Sequence, residues 1–122
     1  MSKPSTVKVM IVEDDLSIID AVSLVLELQG YQVETASDDQ VLEHIEATHP
    51  DIVFLDIWMA GMDGRDVCCS LKHNPSTEDI PIIMLSAHKD TEVIATECGA
   101  DGYLLKPFEM ADLTSLIQQY VH

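Results

Sequence analysis

Four apolar runs in this chain each end on groups able to do chemistry. The first leads into Glu13-Asp14-Asp15, and Ile52-Val53-Phe54-Leu55 leads into Asp56. A third ends in Ser86-Ala87 and a fourth in Lys106-Pro107. Carboxylates gathered in one place repel one another until a proton or a cation relieves them. Hard oxygens from few side chains suit Mg²⁺, which keeps several waters and leaves room for a phosphate oxygen. A carboxylate beside such an ion can attack phosphorus and form an acyl phosphate. That transfer asks mainly for alignment and charge neutralisation. Lys106 is suited to neutralise one phosphoryl oxygen, and the Ser86 hydroxyl to hydrogen-bond another. Together the parts make a phosphoryl-transfer site.

Taken singly, most of these residues have a plainer role. Asp15 is placed to cap a helix, and Asp14 could do the same. Glu13 and Lys106 alone would be solvated charges, and Ser86 a turn hydroxyl. Asp56 is harder to explain away, because an acid closing a strongly apolar strand is unusual without a partner. The joint occurrence at four strand ends favours the chemical reading.

The elements that must position these groups follow from hydrophobic periodicity. Strands are expected at residues 7–12, 32–36, 52–57, 81–86 and 102–105; the first, third and fourth are almost continuously apolar, as strands buried on both faces should be. Helices are expected at 16–29, 39–48, about 66–73, 90–98 and about 109–121. The first carries Ile18, Ile19, Val22, Val25 and Leu26 on one face and stops at Gly30. Gly99 closes the fourth, and Leu113, Leu116, Ile117 and Tyr120 define the face of the last. Strict alternation implies a five-stranded parallel sheet with five helices on its two faces, an α/β flavodoxin-like doubly wound (βα)5 fold. Sites in that architecture form outside the carboxyl ends of the strands. One domain over residues 1–122 is expected.

Composition narrows the function classes. Hydrophobic residues make up 47% of the chain, which argues against disorder. Six basic against 22 acidic residues give a net charge of −16, which disfavours direct binding to nucleic acid or anionic membrane. Cys68 and Cys69 are adjacent and Cys98 is distant, with no zinc or redox spacing. His44, His49, His73, His88 and His122 show no metal-ligand spacing either. The apolar runs are too short for a membrane span, and the polar residues 1–6 are unlike a signal peptide, so a cytoplasmic location is expected.

The motifs Val-Glu-Asp-Asp, Leu-Asp-Ile-Trp-Met-Ala-Gly-Met-Asp-Gly, Leu-Ser-Ala and Gly-Ala-Asp-Gly-Tyr-Leu-Leu-Lys-Pro-Phe, in this order, resemble the response-regulator receiver family across nearly the whole chain. The resemblance implies that Asp56 is the phospho-acceptor. It puts Glu13 and Asp14 around Mg²⁺ with Asp56 and the Trp58 backbone carbonyl. It has Ser86, Lys106 and the Ala87 amide engage the phosphoryl oxygens. Tyr103 would be the aromatic that changes rotamer as Ser86 moves, and the Lys106–Pro107 peptide would be cis. The implied donor is a histidine kinase or a histidine phosphotransfer protein, and the implied output is a conformational switch read by a downstream protein. From residue 90 to residue 122 Lys106 is the sole cation, so salt-bridged pairing through the last helices is disfavoured and a monomer is expected.

The chain departs from the family pattern in four places. Ala60 stands where proline usually follows Met59, which should loosen the loop beside Asp56. Trp58 is bulkier than most residues two positions after the acceptor, and His88 is uncommon two positions after Ser86. The stretch from Ser86 to Lys106 is about two residues shorter than in many members, so the fourth helix or its leading loop should be trimmed. An aspartate-nucleophile phosphohydrolase would want a second acid at position 58 and a covering cap, for which the chain leaves no room. A flavin carrier would want a Gly/Ser/Thr-rich phosphate loop in place of Glu13-Asp14-Asp15.

Overall fold

The computed structural model describes residues 6–37 and 40–121. In chain order its elements are β1 (Lys8–Val12), α1 (Leu16–Leu28), β2 (Gln32–Ala36), α2 (Val41–Thr48), β3 (Ile52–Asp56), β4 (Trp58–Met59), β5 (Met62–Asp63), α3 (Gly64–Lys72), β6 (Ile82–Ser86), α4 (Thr91–Cys98), β7 (Gly102–Leu105) and α5 (Met110–Tyr120). The main sheet is parallel, in the order β2-β1-β3-β6-β7. The expected five-stranded doubly wound fold is what forms.

The unbroken apolar runs become the inner strands, as burial on both faces requires. Alternate residues then serve opposite cores. Val9, Ile11, Ile52, Phe54, Ile83 and Leu85 pack with Val22 and Leu26 of α1 and with Leu113 and Ile117 of α5. Met10, Val12, Val53, Leu55, Ile82 and Met84 pack on the other face with Val41, Ile45, Val67, Leu71 and Ala95 of α2, α3 and α4. Each fully buried aliphatic side chain is worth about 2 kcal/mol over its exposed state, so a slip of one residue in β3 would misplace every one of its apolar contacts.

β2 lies on one side of β1 and β3 on the other, so the strand order switches between β1 and β3. The β1 and β3 ends therefore flank the crevice in which this architecture binds ligands. Val12 pairs in register with Leu55, which brings Glu13 and Asp56 to the same rim.

Boundaries shift by a residue or two from the expected ones, as is usual. The expected start of α2 at Asp39 lies outside the described residues. α3 begins at Gly64 rather than near Asp66, because Asp63 caps it and accepts from Arg65 N at 2.9 Å. The antiparallel pair β4–β5 is an element that strand periodicity did not indicate, being too short for any period. α4 has eight residues and α1 has 13.

Candidate functional site

The rim collects side chains from four strand ends. Glu13 is 1% exposed, Asp56 5% and Ser86 1%. Lys106, at the end of β7, turns inward: its Nζ donates to Glu13 Oε1 at 2.6 Å and to Asp56 Oδ2 at 3.1 Å. Both oxygens of Glu13 are engaged, since Oε2 accepts the Asp14 and Asp15 amides at 3.1 and 3.2 Å. Asp56 Oδ1 accepts from Trp58 N at 3.1 Å. Asp14 is exposed, and its Oδ2 accepts from Ala60 N at 3.2 Å.

Glu13, Asp14 and Asp56 each bring one oxygen within 4.8 Å of the others'. Three carboxylates against one ammonium leave two negative charges in excess when all are ionised. The imbalance registers at Glu13, whose carboxyl is raised above its usual value by burial and by Asp56, against the opposing hydrogen bond from Lys106. Burial pulls the Lys106 ammonium down, but its bond to Glu13 and the charge of Asp56 outweigh this and raise it. An acid cluster of hard oxygens, short of positive charge, fits a divalent cation.

The cluster brings together Glu13, Asp14, Asp56 and Lys106. Ser86 ends β6 one strand away, and its Oγ accepts from His88 N at 3.0 Å. Ala87 stands exposed beside it, lining an apolar cavity of about 420 Å³ between α1 and the Lys106–Met110 segment. The Lys106–Pro107 peptide is cis. Trp58 meets the rim through its N–H. Tyr103 pairs in register with Met84 and is 37% exposed on the edge strand. Asp15 is the helix cap it was expected to be, accepting from Ser17 N and Oγ at 3.0 and 2.6 Å, which lowers its carboxyl.

The structure adds a contact at Ala60. Its amide donates to Asp14 Oδ2 at 3.2 Å, a bond that proline has no N–H to make. Two other contributors escaped sequence reasoning. A Cβ on Gly64 would stand 2.7 Å from Ile57 Cα and against the Asp56 carbonyl, so only glycine lets α3 start this close to the acceptor. Arg65 folds back on Asp63, with Nε at 3.0 Å from Oδ1 and Nη2 at 2.6 Å from Oδ2, and holds that carboxyl below its usual value. Its Cζ lies 4.7 Å from the centre of the Trp58 ring, whose centroid is 5.3 Å from that of His88. The spacing Trp-Met-Ala-Gly-Met-Asp was the available signal: two-residue strands around Ala60-Gly61, with Gly61 at φ 76.

Comparison with known proteins identifies the family of this fold. The model of the response regulator receiver domain matches residues 9–118. The DNA-binding response regulator MtrA of Mycobacterium tuberculosis (strain ATCC 25618 / H37Rv) is 34% identical over 114 residues, covering 91% of this chain and 49% of MtrA. The probable transcriptional regulator ycf27 of Cyanophora paradoxa is 38% identical over 114 residues, covering 91% of this chain and 46% of its own. The chain thus spans about half the length of these curated relatives. Among solved structures, a response regulator of Chloroflexus aurantiacus superimposes with a TM-score of 0.89 at 30% identity, over 95% of this chain and 98% of that one. The chemotaxis response regulator CheY4 of Vibrio cholerae gives 0.87 at 29%, over 96% and 100%. The chain belongs to the response regulator receiver domain family.

Proposed function

We propose that this chain is a phospho-acceptor signalling module that takes a phosphoryl group onto Asp56 in a Mg²⁺-dependent reaction and changes conformation in response. The observation that supports it best is Lys106 Nζ spanning Glu13 and Asp56 at the switch point of the sheet. The donor is a histidine kinase or a histidine phosphotransfer protein. In the transfer, a bond forms between an Asp56 carboxylate oxygen and phosphorus while the donor's phosphorus–nitrogen bond breaks. The imidazole leaves with the electron pair and takes a proton from solvent.

Each residue has work in that step. Burial of Asp56 among strand ends strips water from the nucleophile, and the Trp58 amide fixes one of its oxygens. Lys106 is held between two carboxylates and is ready to follow charge onto a phosphoryl oxygen. The Ser86 hydroxyl and the Ala87 amide donate to the remaining ones. Glu13, Asp14, Asp56 and the Trp58 carbonyl would hold the cation. Mg²⁺ supplies the positive charge that the acid cluster lacks and that the incoming phosphoryl group needs.

Tyr103 and Ser86 carry the switch to a downstream protein. The excess of acid over base favours a monomer that binds neither nucleic acid nor membrane directly. The module acts in the cytoplasm; no helix among the described residues is long and apolar enough to cross a membrane.

Acetyl phosphate with Mg²⁺ is expected to add one phosphoryl mass to the protein, and Asp56→Asn to abolish it. Labelling of the Asn variant to the parental extent would rule out Asp56 as the acceptor.

A further inference from the structure

The chain has one arginine and one tryptophan, and the fold lays the first on the second. Arg65 sits in the first turn of α3, where the helix dipole disfavours a cation, so helix stability does not explain its place. Asp63 does. It pairs with Trp58 across the β4–β5 hairpin, caps α3 and receives the guanidinium fork on both oxygens. These three roles aim the guanidinium back over the indole. A lysine could supply charge there but not the fork.

The indole spans a particular gap. The Trp58 amide holds an oxygen of Asp56 on β3, and the His88 amide holds the oxygen of Ser86 on β6. The rings of these same two residues then meet, tilted by 52°. They form an arch from one strand end to the other, and Arg65 loads it from the Trp58 side. Trp58 remains 43% exposed, so without that load solvent competes for its position.

We propose that Arg65 is a positioning residue of the Asp56 site, a clamp that keeps the Trp58–His88 arch closed and so slows the loss of a phosphoryl group by hydrolysis. The inference rests on Asp56 being the acceptor. In that hydrolysis a water oxygen bonds to phosphorus and the phosphorus–Asp56 oxygen bond breaks. The electron pair stays on the carboxylate, and the water proton leaves with phosphate or to solvent. Trp58 assists no proton transfer, because its ring N–H only donates. Its effect is to deny water the line of approach.

The test uses Arg65→Gln, Arg65→Lys and the same changes in a Trp58→Ala background. Emission from the single tryptophan reports its surroundings before any phosphorylation, and Arg65→Gln is expected to shift it. First-order decay of the labelled protein in Mg²⁺ buffer does not depend on how much was labelled. Loss of an exposed cation–π contact corresponds to about two- to fivefold faster decay for Arg65→Gln. Arg65→Lys should recover only part of the parental lifetime. In Trp58→Ala, Arg65→Gln should change nothing further, since clamp and arch act as one unit. A parent that labels normally and an Arg65→Gln protein that decays at the parental rate would overturn the clamp alone, as would an undiminished effect in Trp58→Ala. A parent that takes no label overturns the acceptor reading, and this inference with it.

Discussion

On its inner side the Asp56 carboxylate meets Lys106, which also grips a fully buried Glu13; on its outer side it meets the backbone of a hairpin and an exposed Asp14, and the hairpin carries the Trp58 ring that stacks toward His88. The inner side hangs on the ends of β1, β3 and β7, which the sheet register fixes, so its charges are held wherever the core is intact. The outer side hangs on six residues between Trp58 and Asp63 and on contacts open to water. The inner charges interact strongly because water is excluded, whereas each outer contact is weak and several must act together. Substitutions on the inner side should therefore move stability most, and those on the outer side the tuning of the site.

The largest effect is expected for Lys106→Met, which keeps an apolar stem and removes the cation. An uncompensated buried acid remains, and breaking such a pair costs about 3 kcal/mol at neutral pH. The loss should depend on pH. Glu13 already titrates above its usual 4.5 in the fold, and a raised carboxyl favours the folded state in acid. That contribution fades as pH rises from 4.5 through the folded value. Removing Lys106 removes an influence that lowers Glu13, so the deficit should be small in acid and widen upward. At the alkaline end it should narrow again, because the raised Lys106 ammonium supports the parent fully below 10.5 and less as pH passes its folded value. Urea unfolding of both proteins across pH checks this. A deficit that is the same at every pH would mean that the lysine stem, not its charge, holds the inner side together.

Gly64→Ala should come next, because Gly64 joins the two sides. Its N–H donates to Ile57 O at 2.8 Å, and it packs on the backbone of Asp56 and Ile57. A methyl group there meets main chain that cannot rotate away, so α3 must retreat. Overpacking of this kind costs about 2 kcal/mol. Thermal unfolding and labelling of Asp56 should both suffer. A stable Gly64→Ala protein that labels at the parental rate would show that the outer side moves independently of the acceptor strand.

The same division governs what could be read from sequence. Asp56, Glu13, Ser86 and Lys106 were legible because each ends an apolar run, and parallel strands bring their ends to one rim. The two cores were legible because β1, β3 and β6 are apolar throughout. The hairpin at Trp58–Asp63 was not, since two-residue strands have no period to detect. Arg65 was not, because its partners are chosen by the cap and the hairpin register, neither of which is visible until Asp63 is placed. At Ala60 the residue type was legible as a lost proline, while the contact it makes through the amide that proline lacks was not. Side-chain periodicity is blind to a backbone donor.

Ala60→Pro tests that last point with the smallest expected effect. Gly61 at φ 76, second in the turn, is what a type II turn requires, and such a turn accepts proline before it. The substitution should therefore leave the hairpin intact while deleting the 3.2 Å bond to Asp14 Oδ2. Asp14 is exposed, so without the tether its carboxylate can rotate toward solvent, and binding Mg²⁺ must then order it again. Ordering one such side chain costs about 1 kcal/mol, equivalent to about fivefold weaker Mg²⁺ binding. Calorimetric or Trp58-emission titrations with Mg²⁺ measure the change directly, and the unfolding midpoint without metal should move little. Unchanged affinity would mean that Asp14 is placed by its own loop and that the tether is incidental. Tighter binding would mean that the amide competes with the cation for the carboxylate, and the outer side would then restrain the inner one instead of serving it.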